Sequence, residues 1–175
     1  SGGGHGEGGR DPATISVVMP ACNLAHFLAR ALDSLATQTR LPDELVAVDD
    51  GSSDGSAEAI RAFARSAPFA VTLVRQANAG AHVALNRGMA LARGEVVALM
   101  NSDDAYAPER LLRLGAALDD AHALAFSGVA LVDDDDRQPC QLQRAGRVEL
   151  VATRRLHYYQ GRCQRRQHFD QALVP

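Results

Sequence analysis

Four short apolar runs constrain this chain more than any other feature. Ile15-Ser16-Val17-Val18-Met19, Leu45-Val46-Ala47-Val48, Val71-Thr72-Leu73-Val74 and Val96-Val97-Ala98-Leu99-Met100 are rich in β-branched side chains. Their apolar character is continuous, whereas a strand with one wet face would alternate. They therefore read as strands of a parallel sheet buried on both faces. Segments of helical period lie between and after them. Leu24, Phe27, Leu28, Ala31, Leu32 and Leu35 share one helix face, with Asn23 placed to cap the first turn. Ala57, Ile60, Phe63 and Ala64 mark a second helix capped by Ser53 and Asp54; Val83, Leu85, Met89 and Leu91 mark a third, ended by Gly94. Pro108 suits the first turn of a fourth, which carries Leu111, Leu112, Leu114 and Leu118. This alternation predicts an α/β, three-layer, Rossmann-like domain with a mainly parallel central sheet.

Composition narrows the function classes. The 175 residues suffice for one domain, and a net charge of −3 lacks the basic surface that nucleic-acid binding requires. All 18 basic residues are Arg, a bias that points to a GC-rich coding sequence. No apolar run approaches the roughly 20 residues that span a bilayer. No secretory signal is evident, and Cys22, Cys140 and Cys163 show neither metal-ligand spacing nor a disulfide framework, so the expected compartment is the cytoplasm. Residues 1–12 are Gly-rich and read as a disordered leader, with the folded domain at 13–175. Beyond Ala123, Leu124 to Val132 reads as one or two strands. Asp133 to Asp136 lacks the spacing of a calcium loop and reads as a hairpin turn.

The chemistry gathers where strands end. In an open parallel sheet, ligands bind beyond the carboxyl ends of the strands. The first strand delivers Pro20-Ala21-Cys22-Asn23, the second Asp49-Asp50-Gly51-Ser52, and the fourth Asn101-Ser102-Asp103-Asp104. Carboxylates collected on one rim repel each other unless a cation or a donor-rich ligand answers them. Hard oxygen donors point to Mn²⁺ or Mg²⁺, with substrate phosphates completing the coordination.

The text at these positions resembles glycosyltransferase family 2, nucleotide-sugar-dependent enzymes of GT-A fold. Five blocks carry the resemblance in order: ISVVMPACN from Ile15, LATQT from Leu35, VAVDDGSSDG from Val46, NAGAHVALNRG from Asn78 and ARGEVVALMNSDDAYAP from Ala92. The resemblance implies an inverting transfer from a nucleoside-diphosphate sugar, UDP-sugar favoured, to an acceptor hydroxyl. It implies that Pro20, Ala21, Cys22 and Asn23 line the base. Asp50 would accept the base N–H while Asp49 supports the loop, and Gly80 to Asn86 would face the donor. Asn101, Ser102 and Asp103 stand at the family's Asp-x-Asp metal motif, with Asp103 and Asp104 as the ligands. Asn101 departs from the usual Asp, and Leu85 stands where the family often carries Arg.

The resemblance also implies a carboxylate general base on the C-terminal side. The ending Phe169 to Pro175 is similar to the segment that precedes the family's base motif, which places the base beyond Pro175 and leaves Asp170 as the fallback. The expected acceptor is a carbohydrate or lipid-linked molecule, with peripheral membrane association through it. The alternative is a non-catalytic nucleotide-sugar-binding module that retains the donor half. His82 reads as a helix-surface residue that could also approach a phosphate. His157, Tyr158 and Tyr159 fit either an acceptor contact or packing beneath one, and Arg154, Arg155, Arg162, Arg165 and Arg166 read chiefly as solvated surface.

Overall fold

The computed structural model describes residues 13–118 and the strand segments 124–127, 131–132, 139–140 and 149–154. Strands and helices alternate as β1 (Ile15–Ala21), α1 (Ala25–Ala36), β2 (Glu44–Asp50), α2 (Ser56–Ala64), β3 (Ala70–Gln76), α3 (Ala81–Leu91), β4 (Val96–Leu99) and α4 (Arg110–Ala117). Short strands follow: β5 (Leu124–Ser127), β6 (Leu131–Val132), β7 (Pro139–Cys140) and β8 (Glu149–Arg154). The main sheet has six strands in the order β3-β2-β1-β4-β8-β5. Its first four are mutually parallel, whereas β8 runs antiparallel to both β4 and β5. Leu124 to Val132 resolves into two strands, the second pairing with β7. The leader, Asp133 to Asp136, the Tyr-containing stretch and Asp170 lie outside the described residues.

Strand alternation divides the core in two. Val17 and Met19 of β1, with Leu45 and Ala47 of β2, pack against α1, α2 and α4 through Leu28, Leu32, Leu35, Ile60, Leu111 and Leu114. Val18, Val46, Val48 and Val97 point the other way, against Ala84 of α3. The central strands are thus covered on both faces, as their continuous apolar runs predict. Edge strand β3 instead alternates between exposed and half-buried positions.

Four local expectations need correction. In α3 the residues fully buried are Ala84 and Gly88, while Val83 and Leu91 are exposed. The reason is close approach: a β-carbon on Gly88 would overlap Val18 Cγ1. Gly94 is not a helix cap, since α3 ends at Leu91 with Ala92 in extended conformation. Gly94 lies against Ser16, donating its N–H to Ser16 Oγ at 2.7 Å where a β-carbon would not fit. Pro108 precedes α4, which opens only at Arg110, because the Pro108 carbonyl is turned to accept the Thr39 N–H at 2.8 Å; Leu112 on that helix is exposed. Asn23 makes no cap bond to α1, whose N-cap position is Leu24.

Candidate functional site

The carboxyl ends of β1, β2 and β4 open onto a cavity of about 140 Å³. Pro20, Ala21 and Cys22 form one wall, Asp50 and Ala81 a second, and Asn101, Ser102 and Asp103 a third, with Leu24 completing the lining. The structure therefore brings together seven of the residues singled out in the sequence. Asn23, Asp49, Gly80, Asn86 and Asp104 stand outside this lining.

Most of those five serve the loops behind it. Asn23 takes a left-handed backbone, φ 53°, which Asn tolerates better than most residues. Its Oδ1 accepts the Ser53 N–H at 2.9 Å and its own N–H reaches Ser52 Oγ at 3.1 Å, clipping the β1–α1 loop to the β2–α2 loop. Asp54 supplies the cap expected of Asn23: its Oδ2 accepts from Ala25 N–H at the start of α1. Its Oδ1 accepts from Ser56 N–H and Oγ at the start of α2, so one carboxylate ends two helices. Asp54 therefore caps as expected, whereas Ser53 does not, its hydroxyl being turned to Asn23 Oδ1 at 3.4 Å.

Adjacent Asp49 and Asp50 point to opposite faces of β2 and do different things. Asp49 is fully buried; it accepts from Ser52 N–H at 3.0 Å and from Arg75 Nε at 2.6 Å. Arg75 also donates to the Ser52 carbonyl, so the pair fixes the loop after β2. Asp50, 2% exposed, faces the cavity. Its Oδ1 accepts from Gln76 Nε2 at 2.8 Å and Ala79 N–H at 2.9 Å, and its Oδ2 from Gly80 N–H at 2.8 Å. Burial pushes the Asp50 carboxyl up. The Gln76, Ala79 and Gly80 donors and the nearby His82 outweigh that, holding it below the ordinary carboxylate range. It is thus an ionised acceptor, and Oδ2 uses one of the two hydrogen bonds it can accept. Gln76, in turn held by Arg87 Nη1 at 3.2 Å, carried no signal in the sequence beyond its place at a strand end.

On the opposite wall, the Asp103 carboxylate is exposed and without a hydrogen-bond partner among the described residues. Asp104 accepts from Asn101 Nδ2 at 3.1 Å, so the residue that departs from the usual motif ties down its neighbouring carboxylate. No group of three or more His, Cys, Asp or Glu capable of holding a metal occurs among the described residues. One free carboxylate with a second beside it does fit a hard divalent cation whose other ligands come from substrate phosphates.

Comparison with known proteins identifies the relatives of this chain. The model of the family described as glycosyl transferase family 2 matches residues 16–172. An uncharacterized glycosyltransferase of Nostoc sp. is 42% identical over 100 residues, covering 57% of this chain and 31% of its own. Another, YibD of Escherichia coli, is 40% identical over 94 residues, covering 54% and 27%. The chain thus spans less than a third of either curated relative. Among solved structures, a mannosyltransferase of Pyrobaculum calidifontis in complex with GDP-Man and Mn²⁺ superposes with a TM-score of 0.59 at 28% identity, covering 64% of this chain and 34% of its own. TarS 1–349 of S. aureus in complex with UDP gives 0.57 at 29% identity, covering 63% and 33%.

Proposed function

The chain belongs to glycosyl transferase family 2, and from that premise we propose that its cavity binds a nucleoside-diphosphate sugar, UDP-sugar favoured, for inverting transfer to an acceptor hydroxyl. The observation that carries the reading is the pairing of two unlike carboxylates across one cavity. Asp50 is buried and ionised, and Asp103 is free and exposed.

Asp50 is an acceptor only, so it selects a base that presents a ring N–H. Uracil, the base favoured by the family resemblance, presents such an N–H, and the Pro20, Ala21 and Leu24 surfaces would pack on its ring. Asp103, with Asp104 alongside, would hold Mn²⁺ or Mg²⁺. Bound there, the cation supplies positive charge against the diphosphate, which otherwise meets the repulsion of two carboxylates. A carboxylate base takes the proton of a carbohydrate or lipid-linked acceptor. The acceptor oxygen then bonds the anomeric carbon from the face opposite the leaving diphosphate, and inversion results. Asp170 is the base candidate within this sequence. No helix among the described residues is long and apolar enough to cross a membrane. A lipid-linked acceptor would bring the chain into peripheral membrane contact, on the cytoplasmic side in this reading.

Titration calorimetry of UDP, with and without Mn²⁺, tests the reading. UDP binding that strengthens with Mn²⁺, and loses that gain in Asp103→Ala, is the expected result. Absence of UDP binding under both conditions sinks the donor assignment. Equal, metal-independent binding in wild type and variant sinks the metal assignment.

A further inference from the structure

The loop that carries Asp103 is not held in place by β4 alone. Three side chains of the α1 segment, Arg30, Ser34 and Gln38, recur at a spacing of four residues and so share one edge of the helical path. All three bond to the chain that follows β4. Gln38, buried just beyond the end of α1, donates from Nε2 to the carbonyls of Ser34 and Ala107 at 3.0 and 2.8 Å, and its Oε1 accepts the Leu111 N–H at 3.1 Å. The Ser34 hydroxyl donates to Ala31 and accepts the Tyr106 N–H at 3.0 Å. Arg30 Nη2 donates to the Asp103 carbonyl at 3.1 Å. From Gln38 to Arg30 the path spans eight residues, six of the steps within α1 and together about 9 Å at 1.5 Å per residue. It thus follows the loop from the start of α4 back to the cavity rim. Tyr106 adds a tie to the sheet through its hydroxyl, which donates to the Leu99 carbonyl at 2.6 Å.

The rungs differ in what they can do. Gln38 and Ser34 satisfy buried or half-buried backbone groups, as any well-packed loop requires. Arg30 reaches the one residue of the loop whose carboxylate lines the cavity and has no partner there. Its bond to the peptide carbonyl leaves that carboxylate uncommitted.

We propose that Arg30 is a positioning residue for the donor site: the last rung of a polar ladder on α1, fixing the Asp103 backbone so that its carboxylate is presented to the cation and diphosphate. The inference rests on the donor-site reading above. Outer partners of metal ligands typically change metal affinity by roughly 10- to 100-fold when removed. A hydrogen bond to a backbone carbonyl places Arg30 at the mild end of that range.

The experiment compares wild type, Arg30→Ala and Arg30→Lys of the full chain by UDP calorimetry over a Mn²⁺ titration. Thermal unfolding and amide hydrogen exchange of residues 101–107 are measured without metal. Arg30→Ala is expected to need about tenfold more Mn²⁺ for the same gain in UDP affinity. Its 101–107 amides should exchange faster with little change in melting temperature, and Arg30→Lys, which keeps one donor, should recover part of both. A Mn²⁺ gain in Arg30→Ala equal to that of wild type overturns the positioning role while leaving the donor site standing. A wild type that shows no Mn²⁺ gain overturns the metal reading and this inference with it. A melting temperature that falls in Arg30→Ala and Arg30→Lys alike, with the Mn²⁺ requirement unchanged, reduces Arg30 to a stabilising surface residue.

Discussion

Neighbouring carboxylates in one strand illustrate how little residue type says about role. Asp49 and Asp50 are identical, adjacent and buried, yet one is sealed against Arg75 and the other lines the cavity. Their substitutions should separate. Asp49→Asn weakens a charge-assisted bond to Arg75, so it should lower stability by about 1–2 kcal/mol in urea unfolding and shift UDP affinity only through loop disorder. Asp50→Ala should weaken UDP binding by about 1.5–3 kcal/mol. It also removes the acceptor of the Ala79 and Gly80 N–H groups, which water can partly replace, so a further stability loss of about 0.5–1.5 kcal/mol is expected. A variant with normal UDP affinity by calorimetry would remove Asp50 from the site. Asn101 is a third case. Its amide bonds Asp104, and replacing it with Asp sets two carboxylates side by side. Asn101→Asp should therefore destabilise the metal-free chain and tighten Mn²⁺ binding in the presence of UDP, which melting curves with and without the ion will read. The strand-end position of all these residues is legible from the chain alone, because the apolar runs stop abruptly at them. Which of two adjacent acids faces the cavity is indicated by the family resemblance alone, and not by residue type or spacing. That depends on the strand's register and on Arg75, 26 residues away along the chain.

At the scale of elements, the parts with continuous apolar runs are the parts that reading the sequence recovers. β1, β2 and β4 are found because burial on both faces keeps their middles apolar, at Val17 to Met19, Leu45 to Val48 and Val96 to Leu99. Helix faces are harder. In α3 the larger apolar residues suggest Val83 and Leu91 as core, yet Ala84 and Gly88 meet the sheet. Close approach selects small residues, and a reading that scores apolar bulk selects against them. Caps fail for a different reason. Asn23, two residues before α1, fits a cap by type, but the carboxylate that does the work comes from Asp54, in the next βα loop, which only tertiary contact brings there. The α3 packing makes a direct prediction. Gly88→Ala improves helix propensity by about 1 kcal/mol. Even so, it should destabilise the chain, because overpacking against Val18 and Val48 costs about 1–3 kcal/mol and α3 must move outward. A chemical-denaturation midpoint equal to or above that of wild type would contradict the close packing.

Over the whole molecule, the two rims of the sheet hold their charges for opposite ends. The carboxyl rim leaves the Asp103 carboxylate without a hydrogen bond among the described residues, while the amino rim consumes its charge internally. Glu44, at the start of β2, is 5% exposed and accepts from Ser16 Oγ at 2.6 Å, Arg93 N–H at 2.6 Å and the Arg93 guanidinium at 3.0 Å. These bonds staple β1, β2 and the α3–β4 turn together. Burial raises the Glu44 carboxyl, but the Ser16 hydroxyl and the Arg93 backbone and guanidinium outweigh it and hold the group below its ordinary value. A carboxyl with a depressed folded value adds stability above its unfolded value, and that stability is lost as pH falls through the folded one. Asp50 is shifted the same way at the other rim, so both ends of the sheet should loosen together in acid. Wild-type stability, measured by urea unfolding between pH 7 and pH 3, should therefore fall steeply below about pH 4. Glu44→Gln should be less stable at pH 7, with a gap to wild type that narrows as pH falls, because protonation of Glu44 removes the charge that the substitution has already removed. A gap that stays constant across the range would mean that Glu44 acts by packing alone, its charge adding nothing to the union of the strands.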